Sequence, residues 1–105
     1  MLSEGHCEPC EGGVPPLDDA EVERLLKDVP AWRLGEGRIT RAWRFDDFAT
    51  AKRFVDRVAA LAESEGHQPD ILLHDWNRVR LSLWTHAIGG LSLNDFILAA
   101  KIDGP

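Results

Sequence analysis

Two histidines far apart in the sequence, His67 and His86, are the residues best suited to do chemistry. The midpoint between them falls between Trp76 and Asn77, inside a turn-like segment at 75–78. If residues 70–84 form a simple hairpin about that turn, the two histidines come level, and directly opposed residues have Cα atoms roughly 4.5–5.5 Å apart. Two imidazoles facing one small pocket can give and take protons near neutral pH without any cofactor, because an unperturbed histidine titrates at about pH 6.5.

Each histidine also has a purely structural interpretation. His67 follows the longest predicted helix, where a histidine complements the negative end of the helix dipole for about 0.3–1 kcal/mol. His86 precedes the Gly89-Gly90 pair and could lie in an ordinary surface loop. The hairpin register that would bring the two together favours the catalytic interpretation.

Two carboxylates stand where they can orient these histidines. Asp95 follows His86 by nine residues, and Glu63 precedes His67 by four, one helical turn away. We expect Asp95 to fix the tautomer of His86 and Glu63 to serve His67. The structural alternatives are a carboxylate that complements a helix dipole and a solvated helix residue. Two histidines and an aspartate are also the ligand types of a facial metal triad, and the residues alone do not separate that use from metal-free catalysis.

Two tryptophans of the second hairpin, Trp76 and Trp84, are candidates to wall a flat ring. Tryptophans on hairpins more often pack in a core or an interface, where their large apolar surface is buried. Both interpretations remain open at the level of the sequence.

The pattern of apolar residues predicts the elements that must position the site. Helical spacing predicts one helix from residues 17–19 to Pro30, a second capped by Asp46 or Asp47 and ending at Gly66, and a third beginning at 92–95. Alternating residues predict two hairpins, with arms at 32–34 and 38–45 and at 70–74 and 78–84. The fold class is therefore α+β in the order α-β-β-α-β-β-α: a four-stranded antiparallel sheet with helices packed on one face.

Length and composition indicate one small globular domain. The chain has 105 residues, of which 44% are hydrophobic and 29% charged, enough for a single modest core. We expect an extended N-terminal tail at 1–16 and one domain at 17–105. The net charge of −6 argues against a nucleic-acid binder, and no apolar run approaches the roughly 20 residues of a membrane span. No export signal is visible, so we expect a cytoplasmic protein.

The predicted tail contains a C-x-x-C pair, Cys7 and Cys10, preceded by His6. A structural zinc site normally needs four ligands, and no second such pair follows. Redox use is disfavoured because the pair lacks the strand-to-helix setting of redox motifs. We therefore favour a tail without a metal.

Several residues at characteristic spacing carry a resemblance to a known family. Glu63-x3-His67-Gln68-Pro69, then Trp76, His86 and Asp95, resemble the signature of pterin-4a-carbinolamine dehydratases. Two further segments, Trp-Thr-His at 84–86 and Asn-Asp-Phe-Ile-Leu-Ala-Ala-Lys at 94–101, are similar to bacterial members. The resemblance covers nearly the whole chain and extends to the His-Cys-x-x-Cys start.

The resemblance implies an enzyme that dehydrates a 4a-hydroxytetrahydropterin to the quinonoid dihydropterin, the recycling step after an aromatic amino-acid hydroxylase. His67 and His86 are implied as the acid–base pair, with Asp95 beside them. We expect no cofactor or metal and no binding to nucleic acid or membrane. We expect a homodimer or homotetramer, and an aromatic amino-acid hydroxylase as a partner in the pathway. The residues implied to shape the pterin site are Glu63, Gln68, Pro69, Thr85, Ala87 and Ile88.

One position departs from the family pattern. Members usually carry His-His-Pro, and the middle position here is Gln68, which can hydrogen-bond a pterin edge but cannot titrate near neutral pH. In the family the middle histidine chiefly helps to hold substrate, so the change bears on affinity and turnover more than on the type of reaction. Relatives of this fold also serve as dimerisation cofactors or Rubisco assembly factors, which makes a non-catalytic scaffold the alternative function.

Overall fold

The computed structural model describes residues 2–8 and 15–104. In this part of the chain the α+β class and the predicted order of elements are confirmed. Short 3-10 turns at Leu2–Glu4 and His86–Ile88 add to the main elements. The main elements are α1 (Asp19–Leu26), β1 (Arg33–Gly35), β2 (Arg38–Arg44), α2 (Phe48–Glu65), β3 (Asp70–His74), β4 (Arg78–Leu83) and α3 (Leu93–Asp103).

Local capping interactions set the ends of the first two helices. Asp18 accepts a hydrogen bond from Glu21 N at 2.8 Å, and the Glu21 carboxylate accepts one from Asp18 N at 3.2 Å, which together form a capping box. Asp47 accepts from Thr50 N at 2.7 Å at the start of α2. The same helix ends at Gly66, whose φ of 64° is left-handed and costs glycine nothing. The first candidate histidine therefore follows the longest helix directly.

The four strands form one antiparallel sheet in the order β1-β2-β4-β3. Each hairpin contributes two neighbouring strands, and the central pair joins β2 to β4, with Ile39 opposite Leu83 and Arg44 opposite Arg78. The turn between β1 and β2 consists of Glu36 and Gly37, both in left-handed backbone conformations typical of a two-residue hairpin. The two hairpins thus share one sheet, and β4 lies inside it.

The register of the second hairpin differs by one residue from the sequence-based prediction. The last residue of β3 pairs with the first residue of β4, so the turn is the three-residue segment 75–77. Two of those residues have left-handed backbone, with φ of 48° and 57°, although neither is glycine. Continued beyond β3, this register sets His67 level with Thr85 and not with His86. The direct alignment of the two histidines is therefore wrong.

The helices cover one face of the sheet and enclose the core. Alternate residues of β4 point into it, as the two-residue repeat of a strand requires. Among the described helices, none combines the length and the apolar character needed to cross a bilayer. The buried apolar core is formed by Val22, Val29, Trp32, Ile39, Ala51, Val58, Ala62, Val79, Leu81, Leu83, Leu91, Phe96, Leu98, Ala99 and Ile102.

The opposite face of the sheet is basic. Arg44 of β2 and Arg78 of β4 stand directly opposite each other, although like charges in that position are unfavourable. Five of the chain's twelve basic residues share this face, while the net charge of the chain is −6. The arginines of this basic face are Arg33, Arg38, Arg44, Arg78 and Arg80.

A buried indole ties the end of α3 to the sheet. Trp32, only 3% exposed, donates its Nε1–H to both carboxylate oxygens of Asp103, at 2.9 and 3.1 Å. Arg41 of β2 pairs with the same carboxylate, and its guanidinium lies 4.6 Å from the ring centroid of Trp43. One carboxylate thus neutralises a cation and satisfies a buried donor.

Residues 2–8, here called the N-terminal segment, fall within the predicted tail and pack against α3 and the end of α2. Lys101 donates its Nζ–H to the carbonyl of Ser3 at 2.9 Å, and Glu65 accepts from the N–H of Cys7 at 2.8 Å. The ring of His6 lies 3.2 Å from the other oxygen of Glu65. The bond from the Cys7 backbone, followed by that from His6, lowers the pKa of Glu65 below its ordinary value of 4.5. The boundary predicted at residue 16 stays a prediction.

Replacing Asp103 by alanine should destabilise the fold, because the buried Trp32 donor loses its acceptor. A buried polar group without a partner costs about 1–3 kcal/mol, and we expect the free energy of unfolding to fall by that amount. Urea unfolding followed by circular dichroism measures it. The exposed Asp28 offers the control, since Asp28→Ala should change stability by less than about 0.5 kcal/mol. Equal stability of Asp103→Ala and wild type would show that the indole bond contributes nothing.

Acidification should release the N-terminal segment. Because the pKa of Glu65 is lower in the folded state, its ionised form stabilises docking above pH 4.5, and this contribution is lost as the pH falls through the lower, folded value. In ¹H–¹⁵N spectra the Cys7 amide should then move toward its random-coil position. In Glu65→Gln it should lie closer to that position already at neutral pH, whereas Glu63→Gln should behave as wild type. A Cys7 amide that keeps its folded position until the whole domain unfolds in acid would contradict this linkage.

Candidate functional site

A cavity of about 460 Å³ lies where the end of α2, the end of β4 and the start of α3 meet. Its volume is within the range of about 300–1,000 Å³ typical of small-molecule sites. Six residues predicted for the site line it: His67, Gln68, Pro69, Thr85, His86 and Ala87. Trp84 also lines it, as one reading of the sequence suggested, whereas Trp76 is 61% exposed in the turn of the second hairpin.

Asp95 is completely buried beneath this cavity, and its carboxylate accepts three hydrogen bonds. His67 Nε2 lies 2.6 Å from Oδ1, while Thr85 Oγ1 and Ser92 N each lie 2.9 Å from Oδ2. These donors come from the segment that follows α2, from the end of the sheet and from the start of α3. They compensate the carboxylate for its removal from water.

Asp95 therefore orients His67, whereas the sequence-based expectation was His86. The physical reason is the start of α3: the reciprocal bond from Ser92 N turns the carboxylate inward, toward the segment that follows α2. Since Oδ1 accepts from Nε2, the neutral ring carries its proton on Nε2 and its lone pair on Nδ1. His67 retains 12% side-chain exposure and is thus a fixed imidazole in the cavity wall.

The ring of His86 is positioned by stacking. Its centroid lies 4.1 Å from that of Trp84, with the planes tilted by 48°. The guanidinium carbon of Arg38 lies 5.1 Å from the ring centroid of the same indole. A bridge between Thr85 and Gly90, with N–H···O at 2.9 Å, closes the loop that begins with His86. His86 is exposed, so it can contact a ligand while its ring rests on the indole.

Glu63 takes a different role from the one expected. Its Oε2 accepts from Gln68 Nε2 at 3.3 Å, while His67 is held by Asp95. Glu63 and Ile88, both predicted for the pterin site, lie outside the cavity wall. Glu63 can therefore influence a ligand through the amide of Gln68 and not through a histidine.

Four wall residues were not predicted: Glu8, Gly66, Asp70 and Asn94. Asp70 begins β3 and lies 3.5 Å from Arg38. Glu8 is bonded to Asn94 across a separation of 86 residues, a contact that no local pattern encodes. The sequence shows that Asn94, next to Asp95, can form hydrogen bonds, but it does not show that the partner is Glu8.

Metal binding finds no geometric support in the described part of the chain. Within residues 2–8 and 15–104, no three His, Cys, Asp or Glu side chains are grouped to hold a metal ion. Both oxygens of Asp95 are engaged by N–H and O–H donors. Cys10, the second cysteine of the tail motif, lies outside the described residues.

Comparison with known proteins gives a consistent answer along the sequence. Residues 15–104 match the family model described as Pterin 4 alpha carbinolamine dehydratase. A protein of Chlorobaculum tepidum is 45% identical over 107 residues, which cover 98% of this chain and 96% of its own length. A protein of Rubrobacter xylanophilus is 46% identical over 103 residues, covering 97% and 95%. Both carry the provisional name pterin-4-alpha-carbinolamine dehydratase.

Solved structures share the fold. The crystal structure of a transcriptional coactivator/pterin dehydratase from Brucella melitensis superposes with a TM-score of 0.79 at 31% identity, covering 84% of this chain and 95% of that one. A pterin dehydratase-like protein identified as a RuBisCO assembly factor in the α-carboxysome gives a TM-score of 0.59 at 25% identity, covering 70% and 86%.

Replacing Asp95 by asparagine should release the tautomer of His67. The amide keeps the size of the side chain but provides only one accepting oxygen for three donors. Nitrogen-15 spectra of the neutral imidazole should show protonated Nε2 in wild type and a tautomer mixture in the variant. The free energy of unfolding should fall by about 1–3 kcal/mol. The exposed Asp70→Asn serves as control, and an unaltered Nε2–H signal in Asp95→Asn would refute this role.

Proposed function

Because the chain belongs to the pterin-4-alpha-carbinolamine dehydratase family, a family of hydro-lyases, we propose that its cavity dehydrates a 4a-hydroxytetrahydropterin to the quinonoid dihydropterin. The observation that carries the proposal is the presence of two imidazoles, His67 and His86, in the wall of one cavity of about 460 Å³. The volume suits a bicyclic ring, and the indole of Trp84, against which the His86 ring rests, forms part of the wall.

The reaction needs two proton transfers and no redox change. The C4a–O bond breaks as the departing hydroxyl receives a proton and leaves as water. N5 loses its proton, and the electron pair of the N5–H bond forms the C4a=N5 double bond. One positioned acid and one positioned base each contribute about 10²–10⁴-fold in such a step.

The two imidazoles divide this work. His67 is held in one orientation by Asp95, with Nδ1 as the nitrogen that exchanges a proton with the substrate. His86 is exposed and rests on Trp84, so its ring can follow the substrate across the cavity. One delivers the proton to the hydroxyl and the other accepts the proton from N5. Either histidine can serve as the acid, and the other is then the base.

Other wall residues hold the ring rather than transfer protons. Pro69, Thr85 and Ala87 shape the cavity, and the amide of Gln68 offers one donor and one acceptor to a pterin edge. Glu63 positions that amide through its bond at 3.3 Å. Changes at Gln68 should therefore affect substrate affinity more strongly than they affect the rate of proton transfer.

Association into a homodimer or homotetramer is part of this proposal, as is a hydroxylase that supplies the substrate. A small chain that leaves apolar side chains in water gains stability by covering them with a second copy. The large exposed apolar side chains are Leu34, Phe48, Ile71, Leu72, Trp76 and Leu93.

A non-catalytic scaffold is the second candidate. Two observations favour it: the similarity in fold to a protein identified as a RuBisCO assembly factor, and glutamine at position 68. A scaffold does not need an oriented acid–base pair, whereas here a buried carboxylate orients His67. The enzyme is therefore the better-supported function.

Replacing His86 by alanine should lower turnover by about 10²–10⁴-fold. Because the side chain is exposed, stability should change by less than about 0.5 kcal/mol. Stopped-flow ultraviolet absorbance measures the dehydration, and His74→Ala, at the end of β3 and outside the cavity wall, is the matched control. Full activity in His86→Ala would refute its assignment. Absence of any acceleration over buffer by folded wild type would favour the scaffold.

A further inference from the structure

The N-terminal segment reaches the edge of the candidate cavity. Asn94, in the first turn of α3, holds the main chain of Glu8 on both sides: its Oδ1 accepts from Glu8 N at 2.9 Å, and its Nδ2 donates to Glu8 O at 2.5 Å. The preceding residue, Cys7, donates its N–H to Glu65 at 2.8 Å. Two consecutive residues are thus fixed through their backbone. The side chain of Glu8 is therefore not needed for docking, and Glu8 lines the cavity together with the two histidines.

Glu8 differs from the other carboxylates near the cavity. Within residues 2–8 and 15–104, no N–H or O–H group donates to its carboxylate and no cation pairs with it. Asp95 is engaged by three donors, Asp70 by an arginine at 3.5 Å and Glu63 by a glutamine amide at 3.3 Å. An ionised carboxylate accepts at two oxygens and donates at neither. Glu8 therefore suits a ligand that presents N–H groups to the cavity wall.

We propose that Glu8 binds the aminopyrimidinone edge of a pterin and that the N-terminal segment is part of the substrate site, an inference that rests on the proposed dehydratase function. This edge carries two parallel donors, the ring N3–H and the exocyclic 2-amino group, at the spacing of two carboxylate oxygens. Hydrogen bonds to an ionised acceptor are roughly twice as strong as neutral ones.

The test compares wild type with Glu8→Gln and with Glu4→Gln. Glu4 is an exposed carboxylate of the same segment that does not line the cavity. Binding of 7,8-dihydropterin, followed by quenching of tryptophan fluorescence, should weaken about tenfold or more in Glu8→Gln and stay unchanged in Glu4→Gln. In the dehydration assay the KM should rise by a similar factor while kcat changes little, because the contact is made equally in the ground state and the transition state.

A second ligand tests which atoms Glu8 contacts. An analogue in which the 2-amino group is replaced by oxygen loses one of the two donors. Wild type should bind it about tenfold more weakly than the pterin, whereas Glu8→Gln should bind it at least as well as the pterin, because a glutamine amide accepts from N3–H and donates to the carbonyl oxygen. This loss of preference would not follow from a segment that had merely detached.

The outcomes separate this inference from the proposed function. Equal affinity of wild type and Glu8→Gln for dihydropterin overturns the role of Glu8, even if turnover is intact. Equal weakening in Glu4→Gln also overturns it, because the charge of the segment and not a contact would then be responsible. A wild type that binds dihydropterin through Glu8 but dehydrates no substrate overturns the proposed function and leaves the contact in place.

Discussion

A carboxylate removed from water is tolerated only when hydrogen bonds from the protein replace those from the solvent. Asp95 is such a carboxylate, and three parts of the fold supply its hydrogen bonds. Its donors are the imidazole that follows α2, the hydroxyl of Thr85 beyond β4 and the backbone N–H of Ser92 at the start of α3. The imidazole is distant in sequence from the other two donors. The cavity exists because all three elements converge on one side chain. Its best-oriented imidazole, His67, is a direct result of that convergence.

The rest of the molecule keeps those elements in place. Gly66 ends α2 so that His67 can turn inward, and the antiparallel pairing of β3 with β4 returns the chain to the same edge of the sheet. At the far end of α3, Asp103 is held by Trp32 and Arg41. The helix that carries Asp95 is therefore fixed at both ends, and of the two histidines at the site only His86 is exposed.

Much of this arrangement follows from short-range patterns in the sequence. The cap at Asp47, the glycine at the end of α2 and the reciprocal bond between Ser92 and Asp95 obey local rules of helix termination, so their residue types predict them. The hairpin register could not be predicted in the same way, because two non-glycine residues adopt left-handed backbone in its turn. Most of the cavity wall was predicted as well, but through a family resemblance.

The contacts that escaped prediction have large sequence separations. Asp95 meets His67 across 28 residues, and Glu8 meets Asn94 across 86. The periodicity of apolar residues indicates which face of a helix or strand is buried, but it does not identify the polar group that packs against that face. The expected pairing of Asp95 with His86 was wrong for this reason. Three-dimensional proximity alone decides the partner of a buried polar atom.

Because of the basic face of the sheet, the sign of the electrostatic potential near that face differs from its sign far from the molecule. Seen from afar, a protein with a net charge of −6 repels anions. At an ionic strength of about 0.15 M, however, charges are screened beyond about 8 Å, so a solute close to the sheet senses mainly the five arginines of that face, of which Arg38 is paired with Asp70. Lowering the salt concentration lengthens that range and lets the overall negative charge dominate. The same molecule thus repels an anion in dilute buffer and attracts it near the sheet at physiological salt.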